Sequence, residues 1–185
     1  MWNDHVNLVL QIKDLRREAT DTYHRLVLPP VATHGFTQTL YGYMHRVFAF
    51  VDALSSYWRG TDKGNQSRRM VDFMGVYFGA NREAHNIAVQ IWRHKLVHTA
   101  LPRTLRLPAT GGVVRYMIQW HESQMTPGQP HYTIVASGRD QVFNLSCISL
   151  IEDLERAADR FVAELQESAP LQANAAKFAG ELCCV

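Results

Sequence analysis

The chain is poor in cysteine and lacks any long apolar run. Its three cysteines are Cys147, Cys183 and Cys184. Because they form no CxxC pair, the sequence argues against a disulfide framework and indicates a reducing, cytoplasmic environment. No uncharged apolar run approaches the ~18 residues of a membrane span, so no membrane association is expected. The non-basic start Met1–His5 predicts no signal peptide, and the ending Leu182–Val185 is not a CaaX box.

Several catalytic signatures are also missing. The sequence contains no GxxxxGK[ST] loop, no GxGxxG and no GxSxG, which argues against P-loop NTPases, dinucleotide enzymes and α/β-hydrolases. We therefore predict no cofactor. With 185 residues, 46% of them hydrophobic and 19% charged, the composition is typical of one globular domain. That domain is assigned to residues 1–169, followed by a flexible tail over residues 170–185.

Charge is unevenly distributed along the chain. From Arg59 to Arg115 there are ten basic residues and three acidic ones, whereas from Tyr116 onward there are four basic and nine acidic residues. The positive section suits an anionic partner, whose binding would be sensitive to salt. The alternative is that the positive and negative sections attract each other within the fold.

Apolar periodicity predicts helices along most of the chain. Apolar residues that recur every three or four positions predict helices over about 3–26, 36–58, 70–77, 82–99 and 147–167. Asn81 is the expected N-cap of the fourth helix, and Pro170 is expected to end the last one. Asp52 falls among apolar neighbours, so it is either exposed or paired with a cation, for which Arg93 is a candidate.

A change of pattern predicts strands after the fourth helix. Val113 to Trp120, Tyr132 to Val135 and Gln141 to Phe143 are rich in β-branched and aromatic residues and are separated by turns. The predicted fold is mainly α: a helical bundle of about five helices with a small antiparallel β-meander, over about 113–145, inserted before the last helix.

The residues with the clearest chemical meaning are Arg93-His94-Lys95-Leu96-Val97-His98. Arginine stays charged and presents a fork of donors that fits phosphate oxygens. Histidine titrates near neutral pH and can move protons. RNA carries its own nucleophile, the 2′-hydroxyl, so cleavage needs a base, an acid and positive charge at the phosphate. We interpret His98 as the acid or base, Arg93 as the phosphate clamp and His94 as a helper.

This Arg-x4-His motif near the end of a helix, within a series of long helices, resembles the HEPN superfamily (higher eukaryotes and prokaryotes nucleotide-binding). The resemblance covers the motif and the helical order of roughly the first hundred residues. It implies a dimeric, metal-independent endoribonuclease that acts on RNA. Many members belong to toxin–antitoxin or antiphage systems, so an antitoxin or another protein is a further expected partner. Lys95, Arg103 and Arg106 are the predicted substrate contacts.

Helical geometry makes the homodimer important. Residues five apart point about 140° from each other on a helix, so Arg93 and His98 converge poorly within one chain. Two facing helices of a dimer would bring residues of both chains together.

Three other interpretations of the motif stay open. Arg93 and His94 could simply complement the helix dipole, or the protein could bind a nucleotide, RNA or protein without cleaving it. His94 and His98 also have the i, i+4 spacing of two zinc ligands, but no glutamate follows His94. A third ligand would have to come from His121 or His131, and we predict no metal site.

Overall fold

The computed structural model describes residues 2–26, 36–79, 81–92, 104–109, 112–121 and 131–182. Within these ranges the chain forms helices α1 (Trp2–Leu26), α2 (Phe36–Arg59), α3 (Gln66–Tyr77), α4 (Arg82–Ile91), α5 (Cys147–Glu167) and α6 (Ala169–Leu182). Strands β1 (Thr104–Ala109), β2 (Gly112–His121), β3 (Thr133–Ser137) and β4 (Asp140–Ser146) lie between α4 and α5. The predicted mainly helical class with a small sheet is confirmed. No helix in these ranges has the length and apolar character needed to cross a membrane.

The predicted apolar stripes form the core. Ile12 and Leu15 of α1, Phe48 of α2, Phe73 of α3 and Phe161 of α5 are at most 1% exposed. The rings of Phe73 and Phe161 meet edge to face at 6.0 Å. A helix buries one stripe because its apolar side chains recur every three or four residues, which is why the periodicity located these helices correctly.

The sheet differs from the predicted antiparallel meander. Its strand order is β1-β2-β4-β3, and β2 pairs with β4 in parallel while β1–β2 and β3–β4 are antiparallel pairs. Phe143 and Leu145 of β4 are fully buried, whereas Val135 of β3 is 53% exposed. The more buried strand, β4, is therefore an inner strand of the sheet, and the more exposed strand, β3, forms an edge.

A sixth helix replaces the predicted flexible tail. Residues 169–182 form α6, which buries Leu171, Ala175 and Phe178 at helical spacing. The ring of Phe178 contacts Tyr57 of α2 edge to face at 4.9 Å. The alanine-rich composition misled the prediction, because small side chains bury little area but let two helices approach closely. Pro170 lies in the first turn of α6, where its missing amide hydrogen costs no hydrogen bond, and not at the end of α5.

Asp52 pairs with a different cation from the one suggested by the sequence. Its Oδ1 lies 2.6 Å from the guanidinium of Arg69 on α3, and its Oδ2 accepts a hydrogen bond from Gln66 at 2.8 Å. Arg69 also donates to Ser55 Oγ and to the carbonyl of Asp62. Because α2 and α3 run side by side, a cation seventeen residues away is brought to Asp52, a contact that sequence spacing could not reveal.

Candidate functional site

A polar groove lies between α4 and β1, which is an edge strand among the described residues, and we call it the α4–β1 groove. Its volume is about 650 Å³, and it is lined by Asn86, Gln90 and residues 104–108. Amide side chains both donate and accept hydrogen bonds, and Arg106 adds a charged donor. The groove therefore offers mixed polar recognition next to an exposed cation.

The lining of this groove follows from the two-sided character of α4. Ala84, Ile87, Ala88 and Ile91 are fully buried, as the apolar stripe predicted. Asn86 and Gln90 are four residues apart, so they share the opposite face, one turn above the other. Asn81 caps the helix as predicted, its Oδ1 accepting the amide hydrogen of Ala84 at 2.7 Å.

The other wall is β1, an edge strand that the sequence analysis missed. Leu105 is 3% exposed and faces the core, whereas Thr104 and Arg106 are exposed. This alternation is the period-two signal of a half-buried strand. It was obscured because the segment is short and contains Pro108, a residue that sheets accept at edges.

Tyr116 holds the sheet against α4. Its phenol donates a hydrogen bond to Glu83 Oε1 at 2.9 Å, which ties β2 to the first turn of α4. Burial, followed by the hydrogen bond and the charge of Glu83, raises the pKa of Tyr116 to about 12. The phenol therefore remains a donor at neutral pH, and the spacing between α4 and the sheet is fixed.

The groove continues at both ends. Beyond Asn86 and Gln90, a hollow of about 420 Å³ between α3 and α4 is lined also by Arg68 and Arg82. At the other end, Arg106 lines a concavity of about 300 Å³ with Val113, Arg115, Arg139 and Asp140. Of these, Arg82 pairs with Asp72 at 2.5 Å and Arg115 pairs with Asp140. One polar surface thus runs from α3 across α4 and β1 to the sheet.

Most of the predicted site residues lie outside the described residues. Arg93, His94, His98 and the expected contacts Lys95 and Arg103 are in the segment 93–103, which falls between two described ranges. Arg106 is described, and it is exposed on β1 within the α4–β1 groove. The predicted roles of the other five residues stay predictions.

The two ends of that segment are fixed in the structure. Trp92 follows the last residue of α4, and its ring stacks on Phe48 of α2 at 5.8 Å. Thr104 begins β1 and pairs with Met117 of β2. Gln90, three residues before Arg93, and Thr104, just after the segment, line the same groove. Described residues on both sides of the motif-bearing segment therefore line one groove.

In the structure, His131, the third zinc ligand considered from the sequence, is hydrogen-bonded at both ring nitrogens. Its Nε2 lies 3.1 Å from Asp153 Oδ2, and its Nδ1 accepts the amide hydrogen of Ser146 at 3.1 Å. Both ring nitrogens are thus used to anchor the start of α5. The side chain of His121 is not described. In the part of the chain that the structure describes, no three histidine, cysteine or acidic side chains are grouped as a metal site requires.

The uneven charge has a partial explanation in the helices. Asp159 of α5 lies 3.2 Å from Lys13, and Glu152 and Glu155 pair with Arg16. These three acids belong to the acidic section that starts at Tyr116, and they form ion pairs with α1, which lies before the basic section 59–115. Attraction between the two sections does not account for these acids, and Arg106 and Arg139 form no ion pair of their own within the described residues.

Comparison with known proteins gives no match to this chain: no family model, no curated protein and no solved structure. Its own residues and their geometry are therefore what bears on its function.

Proposed function

We propose that this protein is a metal-independent endoribonuclease whose reactive residues, Arg93 and His98, act beside the α4–β1 groove. The observation that supports the proposal is that Gln90, three residues before Arg93, and Thr104, which directly follows residue 103, both line that groove. An RNA strand bound there would lie next to the motif. In the sequence, Arg93 comes seven residues after Asn86 and three after Gln90, the spacing of residues on one helix face.

The groove has the donors that RNA recognition needs. Single-stranded RNA is recognised through base edges, phosphates and 2′-hydroxyls. Asn86 and Gln90 can donate to and accept from base edges or the 2′-hydroxyl, and Arg106 can hold a phosphate. These contacts also fit a protein that binds RNA without cleaving it, so the reaction itself must be tested.

In the proposed reaction, His98 takes the proton of a 2′-hydroxyl while the oxygen attacks the adjacent phosphorus. The bond to the 5′-oxygen breaks, and that oxygen receives a proton from a second group, for which His94 is the candidate. Arg93 stabilises the additional negative charge on the phosphate. The products are a 2′,3′-cyclic phosphate and a free 5′-hydroxyl, and no metal ion is consumed or required.

The test is RNA cleavage in the presence of EDTA, with wild type and the variants His98→Ala and Arg93→Ala purified in parallel. We expect wild type to produce 2′,3′-cyclic phosphate ends and each variant to lose at least about a hundredfold in rate. General acid–base catalysis, lost in His98→Ala, contributes about 10²–10⁴-fold, and a group that stabilises transition-state charge, lost in Arg93→Ala, contributes about 10²–10³-fold. Arg17→Ala, which removes an exposed arginine on α1, should cleave like wild type. Equal cleavage by wild type and His98→Ala would refute the proposal.

Binding without cleavage is the outcome that would favour the alternative function. If wild type binds diverse single-stranded RNAs but cleaves none of them, the protein is a non-catalytic RNA-binding protein. Single-stranded DNA of the same sequence is the chemical control, because it lacks the 2′-hydroxyl and should bind without being cleaved.

We also propose that two chains share each reactive site. Mixing Arg93→Ala with His98→Ala should then restore about a quarter of the wild-type activity. After the subunits exchange, half of all dimers are heterodimers, and one of the two sites in each heterodimer is intact. If each site is built from a single chain, mixing two inactive variants restores nothing. Sedimentation of wild type should show a dimer in the first case.

A cellular role in a toxin–antitoxin or antiphage system is part of the same proposal. Expression in a bacterial host should slow growth when the protein is wild type and should be harmless when it carries His98→Ala. If both forms slow growth, the toxicity does not depend on RNA cleavage, and this part of the proposal is wrong.

A further inference from the structure

Three arginines and one aspartate meet at one end of the sheet, and we call this group the arginine corner. It consists of Arg106 on β1, Arg115 on β2, Arg139 in the turn after β3, and Asp140 at the start of β4. Arg106 and Arg115 are directly opposite in the antiparallel register, so their side chains share one face of the sheet. That face is the solvent side, because Leu105 and Tyr116, their neighbours, are buried on the other side.

The charges in the arginine corner do not balance. Arg115 holds Asp140 with two hydrogen bonds, one from Nε to Oδ1 at 2.7 Å and one from the terminal nitrogen to Oδ2. Like charges opposite each other on neighbouring strands are unfavourable, yet Arg106 faces Arg115. One carboxylate for three guanidinium groups leaves two positive charges without a partner acid among the described residues.

Asp140 remains ionised at neutral pH, so it contributes its full charge to this balance. The hydrogen bond from Arg115 is the main reason that the pKa of Asp140 lies below its usual value, and the charge of Arg106 lowers it further. The net positive charge of the arginine corner therefore does not change through Asp140 near pH 7. Among the described residues, this surface therefore keeps a surplus of two positive charges at neutral pH.

Arg106 connects the arginine corner to the α4–β1 groove, because it lines both. Val113, 67% exposed, lies among the arginines and offers apolar surface to a base or ribose. Guanidinium groups bind phosphate oxygens in a two-point fork. Two surplus charges beside a groove lined with amides match the backbone of a nucleic-acid strand, with one negative charge per phosphate.

We propose that the arginine corner binds two successive phosphates of the RNA strand whose neighbouring nucleotides occupy the α4–β1 groove. The inference rests on the proposed function for the identity of the strand as RNA. It adds a binding subsite, made by Arg106 and Arg139 with help from Arg115, that is separate from the reactive residues. The site would then take several nucleotides of single-stranded RNA and not an isolated nucleotide.

The test measures binding of a fluorescent single-stranded RNA of about twelve nucleotides as salt is varied, using His98→Ala as the background so that the probe stays intact. Each phosphate contact on a single strand contributes a salt slope of about 0.7, so losing one contact should weaken binding about fivefold at 0.1 M salt. Arg106→Ala and Arg139→Ala should each show this loss, and the double variant should lose about 25-fold, with the slope reduced by about 1.4.

Two further variants make the result specific. Arg17→Ala removes the same charge from α1, where the side chain is 73% exposed, and should leave binding unchanged. Asp140→Asn releases Arg115 and should tighten binding with a steeper salt slope. Circular dichroism checks that each variant is folded.

The outcomes separate this inference from the proposed function. If the background protein binds RNA and the double variant binds equally well with the same slope, the arginine corner is not a subsite, although the groove can still bind RNA. If Arg17→Ala loses as much as Arg106→Ala, overall charge explains the effect and the inference is wrong. If the background protein binds no RNA at any salt concentration, both proposals fail. If RNA binds through the corner but wild type does not cleave it, only the ribonuclease proposal fails.

Discussion

Arg69 on α3 and the three arginines of the arginine corner place the same side chain in opposite surroundings. The side chain of Arg69 is 5% exposed, and it contacts Asp52, Ser55 and the carbonyl of Asp62. In the arginine corner, Asp140 serves one guanidinium, and Arg106 and Arg139 are exposed. A buried charge must be paired and hydrogen-bonded, whereas an exposed one can remain available to a ligand.

The comparison separates arginines that hold the fold from arginines that can recognise a partner. The helical region around α2 and α3 satisfies its buried cation, Arg69 on α3, with polar groups from α2 and from the loop that follows it. The sheet region keeps two cations solvated at its surface, beside a polar groove. Substitutions should therefore change stability in the first region and binding in the second.

The largest effect on stability is expected for Arg69→Met, which leaves Asp52 without its cation. Breaking one side of a buried ion pair costs about 3 kcal/mol, measured as the change in the free energy of unfolding in urea. Arg106→Met should stay within about 0.5 kcal/mol of wild type, as is usual for exposed positions.

A double variant sharpens this test. Adding Asp52→Asn to Arg69→Met should recover part of the loss, since the unpaired carboxylate is then neutral. If Arg69→Met were as stable as Arg106→Met, the contrast between the two regions would be wrong.

The next effect concerns two glycines with positive φ, one in each region. Gly60, at φ +79°, ends α2, and a β-carbon there would lie 3.1 Å from the backbone of Asn174 on α6. Gly60→Ala should cost about 2 kcal/mol through strain together with this close approach. Gly138, at φ +62° in the turn beside the arginine corner, has open space around it, so Gly138→Ala should cost about 1 kcal/mol.

Thermal unfolding of the two alanine variants measures this difference. Asn174 also donates to the carbonyl of Trp58 at 2.9 Å, so Gly60→Ala should loosen the contact between α2 and α6. Equal losses for both glycines would mean that α6 does not pack closely on the end of α2.

The smallest effect has the opposite sign. The hydroxyl of Tyr132 is buried and has no hydrogen-bond partner among the described residues. Removing a buried, unsatisfied polar group relieves its desolvation cost, so Tyr132→Phe should stabilise the protein by about 1 kcal/mol. Tyr116→Phe, which loses the bond to Glu83, should destabilise it. Urea unfolding of both variants at pH 7 gives the comparison.

Tyr132 also predicts that the stability of the protein depends on pH. Burial, and then the charge of Asp153, raise the pKa of Tyr132 well above its usual 10.0. The folded state therefore favours the neutral phenol, and this contribution to stability is present below pH 10 and is lost as the pH rises further. Above pH 10 wild type should lose stability more steeply than Tyr132→Phe, and parallel curves would contradict this.

Local sequence patterns predicted most of the helices. The features that they did not predict depend on pairing between residues distant in sequence. The predicted bounds of α1, α2 and α5 agree with the structure to within a residue or two, because each helix buries a stripe that recurs in its own sequence. The partner of Asp52 and the parallel pairing of β2 with β4 depend on residues distant in sequence, and no local pattern encodes them.

The candidate site divides in the same way. The motif Arg93–His98 is visible in the sequence. The polar pair Asn86 and Gln90, four residues apart on the face opposite the apolar stripe, was not predicted as part of the site, although its spacing is a local signal. That Arg106 lies in one groove with that pair, and opposite Arg115, required the fold, since β1 had to be placed between α4 and β2.

By itself the sequence determined where most of the helices lie and which faces they bury, because these follow from side-chain type and from spacing within one segment. The chemistry of the motif Arg93–His98 is also suggested by side-chain type, and it stays a prediction. Among the described residues, only the tertiary structure decided which cations have a partner acid and which have none at the sheet. Pairing of charges depends on distances between segments, and those distances exist only once the helices and strands have packed.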